Sequence, residues 1–175
     1  MHPRQRKVIH VPTPASRKDN EQQVETVLLE NYDRYYRLAY SYTHNEQDAG
    51  DIVQGGAYKA IRAAASLKNP DYCQTWLYRI MLNEVFAFFR ARRETVPLDA
   101  APSVESAAPD LGASLDLRAA IDALPEQDKA IVLLRFFEDR KLSEIAEILD
   151  LNLNTVKSRL YRCLERLKLD LSEGI

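Results

Sequence analysis

The sequence predicts an all-α protein of two small helical domains, joined by a flexible acidic linker, with a helix-turn-helix in the second domain. The 175 residues are rich in Ala, Leu, Glu and Arg, and they contain only five Gly. Apolar residues recur at helical spacing over several long segments. One stretch rich in Pro, Ala, Ser and Asp, residues 95–114, has no such periodicity and predicts the linker.

Residues 1–20 predict a disordered basic N-terminal arm. The first 18 residues carry five basic side chains, three prolines and no acidic side chain. The arm could add contacts to DNA or to a partner, although a disordered tail is the simpler interpretation. It lacks the apolar core of a secretion signal. No apolar run in the chain approaches the roughly 20 residues that span a bilayer, so we expect a cytoplasmic protein without membrane insertion.

Residues 21–94 predict the first helical domain. A helical region covers 21–45, and a second helix covers 45–67 with Asn45 as its N-cap. The segment NPDYC predicts a turn, because Pro70 disfavours a helical Asn69. The third helix, QTWLYRIMLNEVFAFFRARR, carries a row of apolar residues at a spacing of four that should face a core: Leu77, Met81, Val85 and Phe89.

Residues 115–175 predict the second domain. Its first helix, SLDLRAAIDAL, has Ser114 as candidate cap, and Pro125 stands where a proline favours the start of the next helix. KLSEIAEILDL predicts a third helix, with Ser143 and Glu144 at its start. The last helix, NTVKSRLYRCLERLKLDL, has Asn154 or Thr155 as its cap.

The last two helices predict a helix-turn-helix whose second helix carries a polar outer face. Its apolar side is lined by Val156, Leu160, Cys163, Leu164, Leu167 and Leu171, and its outer side by Lys157, Ser158, Tyr161, Arg162 and Glu165. In a major groove, Lys157 and Arg162 can reach phosphates or guanine edges, while Tyr161 can meet a thymine methyl. A helical hairpin with a solvated charged face is the alternative.

A second stripe runs along the helix that follows Pro70. Trp76, Arg79, Asn83, Phe86 and Arg90 recur every three or four residues, opposite the core row. Aromatic, amide and guanidinium groups in alternation suit single-stranded nucleic acid, because bases stack on rings and cations hold the backbone. The alternative is that Trp76 is a core residue.

Charge is segregated along a chain whose net charge is only −2. Residues 94–128 hold eight acidic side chains against Arg118, and residues 154–168 hold five basic ones against Glu165. A chain that is basic only in patches should bind nucleic acid weakly by itself. Neither Cys73 and Cys163 nor the three histidines form a metal-ligand pattern. We therefore expect no metal, no cofactor and no catalytic residues, and His44 and Asp48 are interpreted as a surface pair.

Three segments together carry a resemblance to a known family. They are DAGDIVQGGAYKAI, WLYRIMLNEVFAFFRARR and LPEQDKAIVLLRFFEDRKLSEIAEILDLNLNTVKSRLYRCLERLK. The chain resembles bacterial RNA polymerase sigma factors of the extracytoplasmic-function (ECF) group over about residues 24–172. The resemblance implies a factor that binds core RNA polymerase and directs promoter-specific initiation of transcription. Residues 21–94 would be its region 2 and residues 115–175 its region 4.

The resemblance also implies a role for particular residues. The surface that docks on the clamp helices of the polymerase's largest subunit would comprise Asp48, Asp51, Ile52, Val53 and Gln54. The minus-10 element would be read as melted strand by Trp76, Tyr78, Arg79 and Asn83, next to a pocket shaped by the loop 67–72. The minus-35 element would be read in the major groove by Lys157, Ser158, Tyr161 and Arg162. The linker would thread through the polymerase, and an anti-sigma factor is a further implied partner.

One feature departs from the family pattern. Gly50, Gly55 and Gly56 stand in the predicted polymerase-binding helix, where each costs about 1 kcal/mol relative to Ala. They predict a locally weak helix, or one that packs unusually closely. Two other functions stay open from the residues alone: a DNA-binding regulator whose first domain is a sensor, and a helical adaptor that binds only protein.

Overall fold

The computed structural model describes residues 14–95 and 115–173, with side chains described for 17–95 and 116–168. Within these ranges the chain is helical and contains no strand, so the all-α prediction is confirmed. The helices are α1 (Pro14–Glu30), α2 (Tyr32–Thr43), α3 (Glu46–Ala63), α4 (Cys73–Thr95), α5 (Leu115–Asp122), α6 (Glu126–Phe136), α7 (Leu142–Leu149) and α8 (Leu153–Glu173). Short 3-10 turns at Ala64–Ser66 and Pro70–Tyr72 connect α3 to α4.

Helix α1 begins earlier than the sequence predicts. It starts at Pro14, so residues 14–20 of the expected disordered arm are helical, and that part of the prediction is wrong. A proline suits this first position because its missing N–H has no partner there. The side chain of Asn20 is buried and its amide donates to the carbonyl of Leu67 at 3.0 Å, which ties the helix down. Residues 1–13 lie outside the described residues.

Helix boundaries follow local hydrogen bonds. The Asn45 side chain accepts from Asp48 N at 2.9 Å, which confirms it as the N-cap of α3. At the start of α8, the cap is Asn152, whose side chain accepts from Asn154 N at 2.8 Å. The prediction of Asn154 or Thr155 is therefore wrong by two or three residues. Ser114 and residues 96–114 of the linker lie outside the described residues.

The apolar rows of the sequence form the core. Leu77, Met81 and Val85 are buried as predicted, and Phe89 packs on the edge of the core. In the second unit, α8 buries Val156, Leu160, Cys163 and Leu167. Both units therefore turn one side of each long helix inward, which is the pattern of an amphipathic helix.

The glycines of α3 do not interrupt the helix. It runs unbroken from Glu46 to Ala63 through all three of them. A Cβ added at Gly56 would collide with the sulfur of Met81 on α4, whereas one added at Gly50 would meet nothing within 4 Å. Gly56 therefore allows α3 and α4 to pack closely, which is the second of the two predicted consequences.

Within residues 14–95 and 115–173, three residues other than glycine adopt left-handed backbone. His44 has φ 50°, Asp139 has φ 51° and Asp150 has φ 55°. His44 ends α2 and Asp150 ends α7, so each supplies the sharp reversal after a helix that glycine usually supplies. All three carry polar side chains, which tolerate this region better than most.

The two helical units lie against each other. Helix α7 packs on α4, and side chains of α6 reach α2 across the contact. We call this contact the seam. It joins residues of the first unit (Ser41, Tyr42, His44 and Tyr78) to residues of the second (Asp122, Lys129, Glu138 and Arg140). Among the described helices, none is long and apolar enough to cross a membrane.

Candidate nucleic-acid and polymerase interfaces

The outer face of α8 comprises Lys157, Ser158, Tyr161 and Arg162. All four residues are exposed, and Tyr161 has 68% of its surface open to solvent. The Ser158 hydroxyl donates to the carbonyl of Thr155 at 3.1 Å, and its lone pairs stay available as acceptors. Two cations, a hydroxyl and an aromatic ring thus share one side of a 21-residue helix. Such a side matches the groups that read a major groove.

Arg159 belongs to the same helix but has a different environment. Its guanidinium donates to the side chains of Gln127 at 2.8 Å and Asp128 at 3.4 Å, both on α6. The residue therefore fixes the rotation of α8 against α6, so that the outer face points to solvent. From the sequence alone, Arg159 is one more basic residue of this region, and nothing indicates its two partners on α6.

The stripe on α4 is only partly open. Arg79, Asn83 and Arg90 are exposed, whereas Trp76 and Phe86 are half-buried and pack against the core. The ring of Phe86 meets Tyr42 edge-on, with centroids 6.3 Å apart. The alternative that Trp76 is a core residue is thus partly right. Beside the stripe, the turn before α4 leaves Tyr72 exposed and buries Leu67.

Tyr78 does not lie on an open surface. It is fully buried, and its hydroxyl donates to a carboxylate oxygen of Glu138 at 2.5 Å. The ring packs edge-on against Tyr35 and lies under the guanidinium of Arg140. In this arrangement Tyr78 cannot touch a DNA strand, so its predicted role as a reading residue is corrected to one in the seam. The sequence could not indicate this, because the partner is 60 residues away.

Burial sets the electrostatics of this contact. Removal from water raises the pKa of the Glu138 carboxyl, although the hydrogen bond from Tyr78 and the charges of Arg34, Arg37 and Arg140 oppose the shift. Burial, helped by the Glu138 charge, also raises the pKa of the Tyr78 hydroxyl. The nearest of these cations to the carboxylate is Arg34, whose guanidinium lies 4.0 Å away. One strong, charge-assisted hydrogen bond therefore joins Tyr78 to Glu138, with the three arginine side chains nearby.

A second buried charged group crosses the seam from α6. The ammonium of Lys129 donates to the backbone carbonyl of Ser41 and to Asp122, both at 2.6 Å, and lies over the ring of Tyr42. Burial lowers the pKa of Lys129, despite the opposing charge of Asp122. Asp122 also bonds His44 at 3.1 Å. The predicted pair of His44 with Asp48 is thus wrong, because each side chain has another partner.

The face of α3 separates into exposed and buried positions. Asp51 and Gln54 are exposed, but Ile52 and Val53 are buried at 5% and 1% exposure. The last two are therefore corrected from partner contacts to core residues that hold the helix in place. Asp48 pairs with Arg92 of α4 at 3.6 Å.

Tyr58 extends the exposed side of α3. It leaves 61% of its surface open and stands seven residues, or about two turns, after Asp51. Sequence reasoning missed this residue, although its spacing from Asp51 and Gln54 was the available signal. We call Asp51, Gln54 and Tyr58 the outer face of α3.

The cysteines show no sign of metal binding or reactivity. Both are free and buried, and burial raises the pKa of each thiol. Over residues 17–95 and 116–168, no three potential ligands among His, Cys, Asp and Glu come together as a metal site.

Comparison with known proteins places this geometry in a family. The family described as Sigma-70 region 2 matches residues 28–95, and the one described as Sigma-70, region 4 matches residues 114–167. The RNA polymerase sigma factor SigV of Bacillus subtilis is 38% identical over 150 residues, which are 85% of this chain and 90% of that protein. The ECF RNA polymerase sigma-E factor of Escherichia coli is 30% identical over 135 residues, covering 67% of this chain and 71% of that protein.

Solved structures show the same fold. The sigma factor RpoE of Bartonella quintana, in complex with the anti-sigma factor NepR, superposes with a TM-score of 0.67 at 24% identity, over 85% of this chain and 96% of that one. CnrH, in complex with the cytosolic domain of CnrY, gives a TM-score of 0.67 at 20% identity, over 92% and 99%. The chain belongs to the ECF group of RNA polymerase sigma factors, which direct promoter-specific initiation of transcription.

Proposed function

We propose that this chain reads its promoters with two separate helices while core RNA polymerase holds it. The region 2 unit, residues 21–94, reads the minus-10 element as melted strand, and the region 4 unit, residues 115–175, reads the minus-35 element as duplex. The observation that supports this most directly is the outer face of α8, where all four predicted reading residues are exposed. Lys157 and Arg162 hold phosphates or guanine edges, and Ser158 and Tyr161 complete the contact.

For the minus-10 element we propose Trp76, Arg79 and Asn83 as the reading residues. Arg79 and Asn83 are exposed on one side of α4, and the half-buried ring of Trp76 begins the same stripe. A guanidinium, an amide and an indole provide backbone attraction, hydrogen bonds to a base edge and a stacking surface. Tyr78 is left out of this set, because it is buried against Glu138.

For core RNA polymerase we propose the outer face of α3 as the docking surface, on the clamp helices of the largest subunit. Asp51 and Gln54 offer a carboxylate and an amide, and Tyr58 adds an exposed ring. A mixed acidic and aromatic surface of this kind suits a basic partner, since charge complementarity guides association. The protein then acts in the cytoplasm, where the enzyme and the DNA are found.

An anti-sigma factor is the further partner that we propose. Tyr58, Tyr72 and Tyr161 leave much of their rings exposed, and such surfaces are commonly covered by a partner. The RpoE structure that shares this fold is a complex with an anti-sigma factor. Purification of the chain from its own cells should recover such a protein, and recovery of polymerase alone would count against it.

Run-off transcription with purified core polymerase tests the main proposal. The chain should direct start sites that core enzyme alone does not use, and the mapped starts define the promoters. Arg162→Ala should lower affinity for those promoters about tenfold, because a good base or phosphate contact contributes about 1–3 kcal/mol. Asp51→Arg should abolish polymerase binding.

Matched controls separate these effects from misfolding. Arg159→Ala removes a cation from the same helix, but one bound to α6, so it should lower stability more than it lowers promoter selectivity. Glu25→Arg makes the same charge change as Asp51→Arg on exposed α1 and should leave polymerase binding intact. Identical transcripts with and without the chain would contradict the proposal.

A further inference from the structure

A buried asparagine stands in the apolar row of α1. Asn20 is 9% exposed, and it lies one and two turns before Val24 and Leu28, which are buried on the same side of the helix. Asparagine is a poor helix former and is found mostly at protein surfaces. The buried amide of Asn20 has a partner, because it donates to the carbonyl of Leu67 at 3.0 Å. The position therefore holds a residue that makes a bond, where an apolar residue would only fill space.

This bond fixes one end of the loop that precedes α4. Leu67 is buried, whereas residues 68–72 are all exposed. The loop holds its own shape, since the Asn69 side chain accepts from Asp71 N at 3.0 Å and Tyr72 N donates to the carbonyl of Asn69 at 3.1 Å. Local bonds thus set the shape of the loop, but its position on the domain depends on how its two ends are held.

The far end of the loop is held from the end of α1. The side-chain amide of Gln74, in the first turn of α4, donates to Asn31 at 2.9 Å, directly after the last residue of α1. The amide of Asn31 in turn donates to the carbonyl of Val27 at 2.9 Å. Gln74 also accepts from Arg140 of the second unit, so this end has support from two sides. The bond to Leu67 is therefore the tether by which α1 acts on the loop most directly.

The loop continues the strand-reading stripe of α4. Tyr72 stands four residues, or about one turn, before Trp76 and leaves 48% of its surface exposed. Arg79 and Asn83 follow at similar spacing and are exposed. Lys68, at the other end of the loop, is exposed as well. A ring and a cation suit the stacking of a base and the attraction of its phosphate. A strand that stacks on Trp76 would therefore reach this loop next.

We propose that Asn20 is a positioning residue for base selection. Its bond to Leu67 sets the distance between the loop 67–72 and Trp76, and thereby decides which base of the melted strand is accepted between them. Asn20 is buried and acts only through the loop. The inference rests on the proposed function, because it assigns selectivity to the minus-10 surface. Contacts of this kind discriminate between bases only when supporting bonds hold them in place.

Asn20→Leu tests this role. The variant completes the apolar row and removes the donor, so α1 stays packed while the loop loses its tether. Transcription with core polymerase on a promoter library randomised over the minus-10 element measures the preference for each base. The preference at one position should fall about tenfold, and the preferences elsewhere should stay those of the wild type. Asn20→Gln retains an amide donor and should keep most of the preference.

Two variants of the same helix provide controls. Val24→Ala opens a cavity one turn further along the buried side of α1, so it should lower the midpoint of thermal unfolding and leave the base profile unchanged. Gln23→Leu removes an amide from the exposed side and should change neither quantity. If Asn20→Leu loses helix content by circular dichroism, Asn20→Ala takes its place under the same criteria.

Hydrogen exchange provides a readout without polymerase or promoter. In Asn20→Leu, the amide of Tyr72 should exchange about tenfold faster than in the wild type, while the amides of α8 keep their rates. Wild-type exchange in the loop or an unchanged base profile would overturn the inference, and so would a preference that weakens equally at every position. A wild type that directs no start sites would instead contradict the proposed function, and the exchange rates would still decide the tether.

Discussion

Glu138 is buried, although glutamate side chains usually lie at the surface of a protein. Its carboxylate is buried in the seam, where it is bonded to Tyr78 and approached by Arg34 at 4.0 Å. Burial still raises its pKa above the usual 4.5, which means that the surrounding cations do not fully replace the lost water. A charged Glu138 is therefore less favourable than a neutral group that accepts the same hydrogen bond.

Glu138→Gln should consequently be no less stable than the wild type at neutral pH. The amide oxygen still accepts from Tyr78, and no charge has to be desolvated. Because the folded-state pKa is raised, the wild type binds a proton more readily when folded and gains stability as the pH falls from neutral towards 4.5. Urea unfolding at several pH values should show the two proteins converging in that range. A wild type that is clearly the more stable at pH 7.5 would contradict this prediction.

Among the helices, α3 and α4 pack closely against each other. They approach closely at Gly56, where a Cβ would collide with buried Met81, and they are joined outside this point by the ion pair of Lys59 and Glu84. A glycine in mid-helix costs backbone entropy, and here close packing offsets that cost. The unbroken α3 presents its outer face as one rigid surface.

Alanine at two of these glycines should have opposite effects. Gly50→Ala meets nothing within 4 Å and should stabilise the chain by about 0.5–1 kcal/mol through helix propensity. Gly56→Ala should be destabilising, because overpacking costs about 1–3 kcal/mol and the propensity gain is only about 1 kcal/mol. Urea unfolding of the two variants measures both effects. Equal stabilisation by both would show that Met81 moves aside at little cost.

The elements are also where sequence reasoning worked best. Helical periodicity located α3, α4 and α8, and the Asn45 cap and the row of Leu77, Met81 and Val85 are as predicted. These features depend on neighbours within a few residues, so a single sequence contains them. The outer face of α8 was accessible to the same reasoning, since the apolar side of an amphipathic helix determines its opposite side.

Long-range contacts were beyond this reasoning. Tyr78, Ile52 and Val53 were assigned to surfaces because they belong to segments that resemble family motifs, yet each is buried by its tertiary environment. The sequence does not indicate that Lys129 and Glu138 are buried, since a charged residue among polar neighbours is expected to be solvated. The choice between surface and seam is made by partners 60 to 88 residues away, which periodicity does not detect.

At the scale of the whole molecule, the seam joins the two units through bonds that depend on ionisation. Asp122 of α5 contacts His44 of the first unit at 3.1 Å and Lys129 at 2.6 Å. Burial would raise the pKa of Asp122, but the hydrogen bonds and charges of these partners outweigh it, so the pKa lies below the usual 3.8. The charged form is thus favoured by the folded chain.

Asp122→Asn should lower the midpoint of thermal unfolding at pH 7, because it weakens both bonds. A depressed pKa contributes stability that is present above the unfolded value and lost as the pH falls through the folded one. The difference between variant and wild type should therefore shrink below pH 3.8. Asp116→Asn, on the exposed start of α5, provides the control and should leave the midpoint nearly unchanged. A gap of constant size across this range would rule out the assigned ionic role.

The left-handed residues His44 and Asp150 carry a design lesson. Glycine at either position would relax the backbone, yet both side chains reach across to the opposite unit, His44 to Asp122 and Asp150 to Arg79. Replacing both with glycine to relieve backbone strain would remove two ion pairs between the units. The two units of such a variant would separate more readily, although its local backbone strain would be lower.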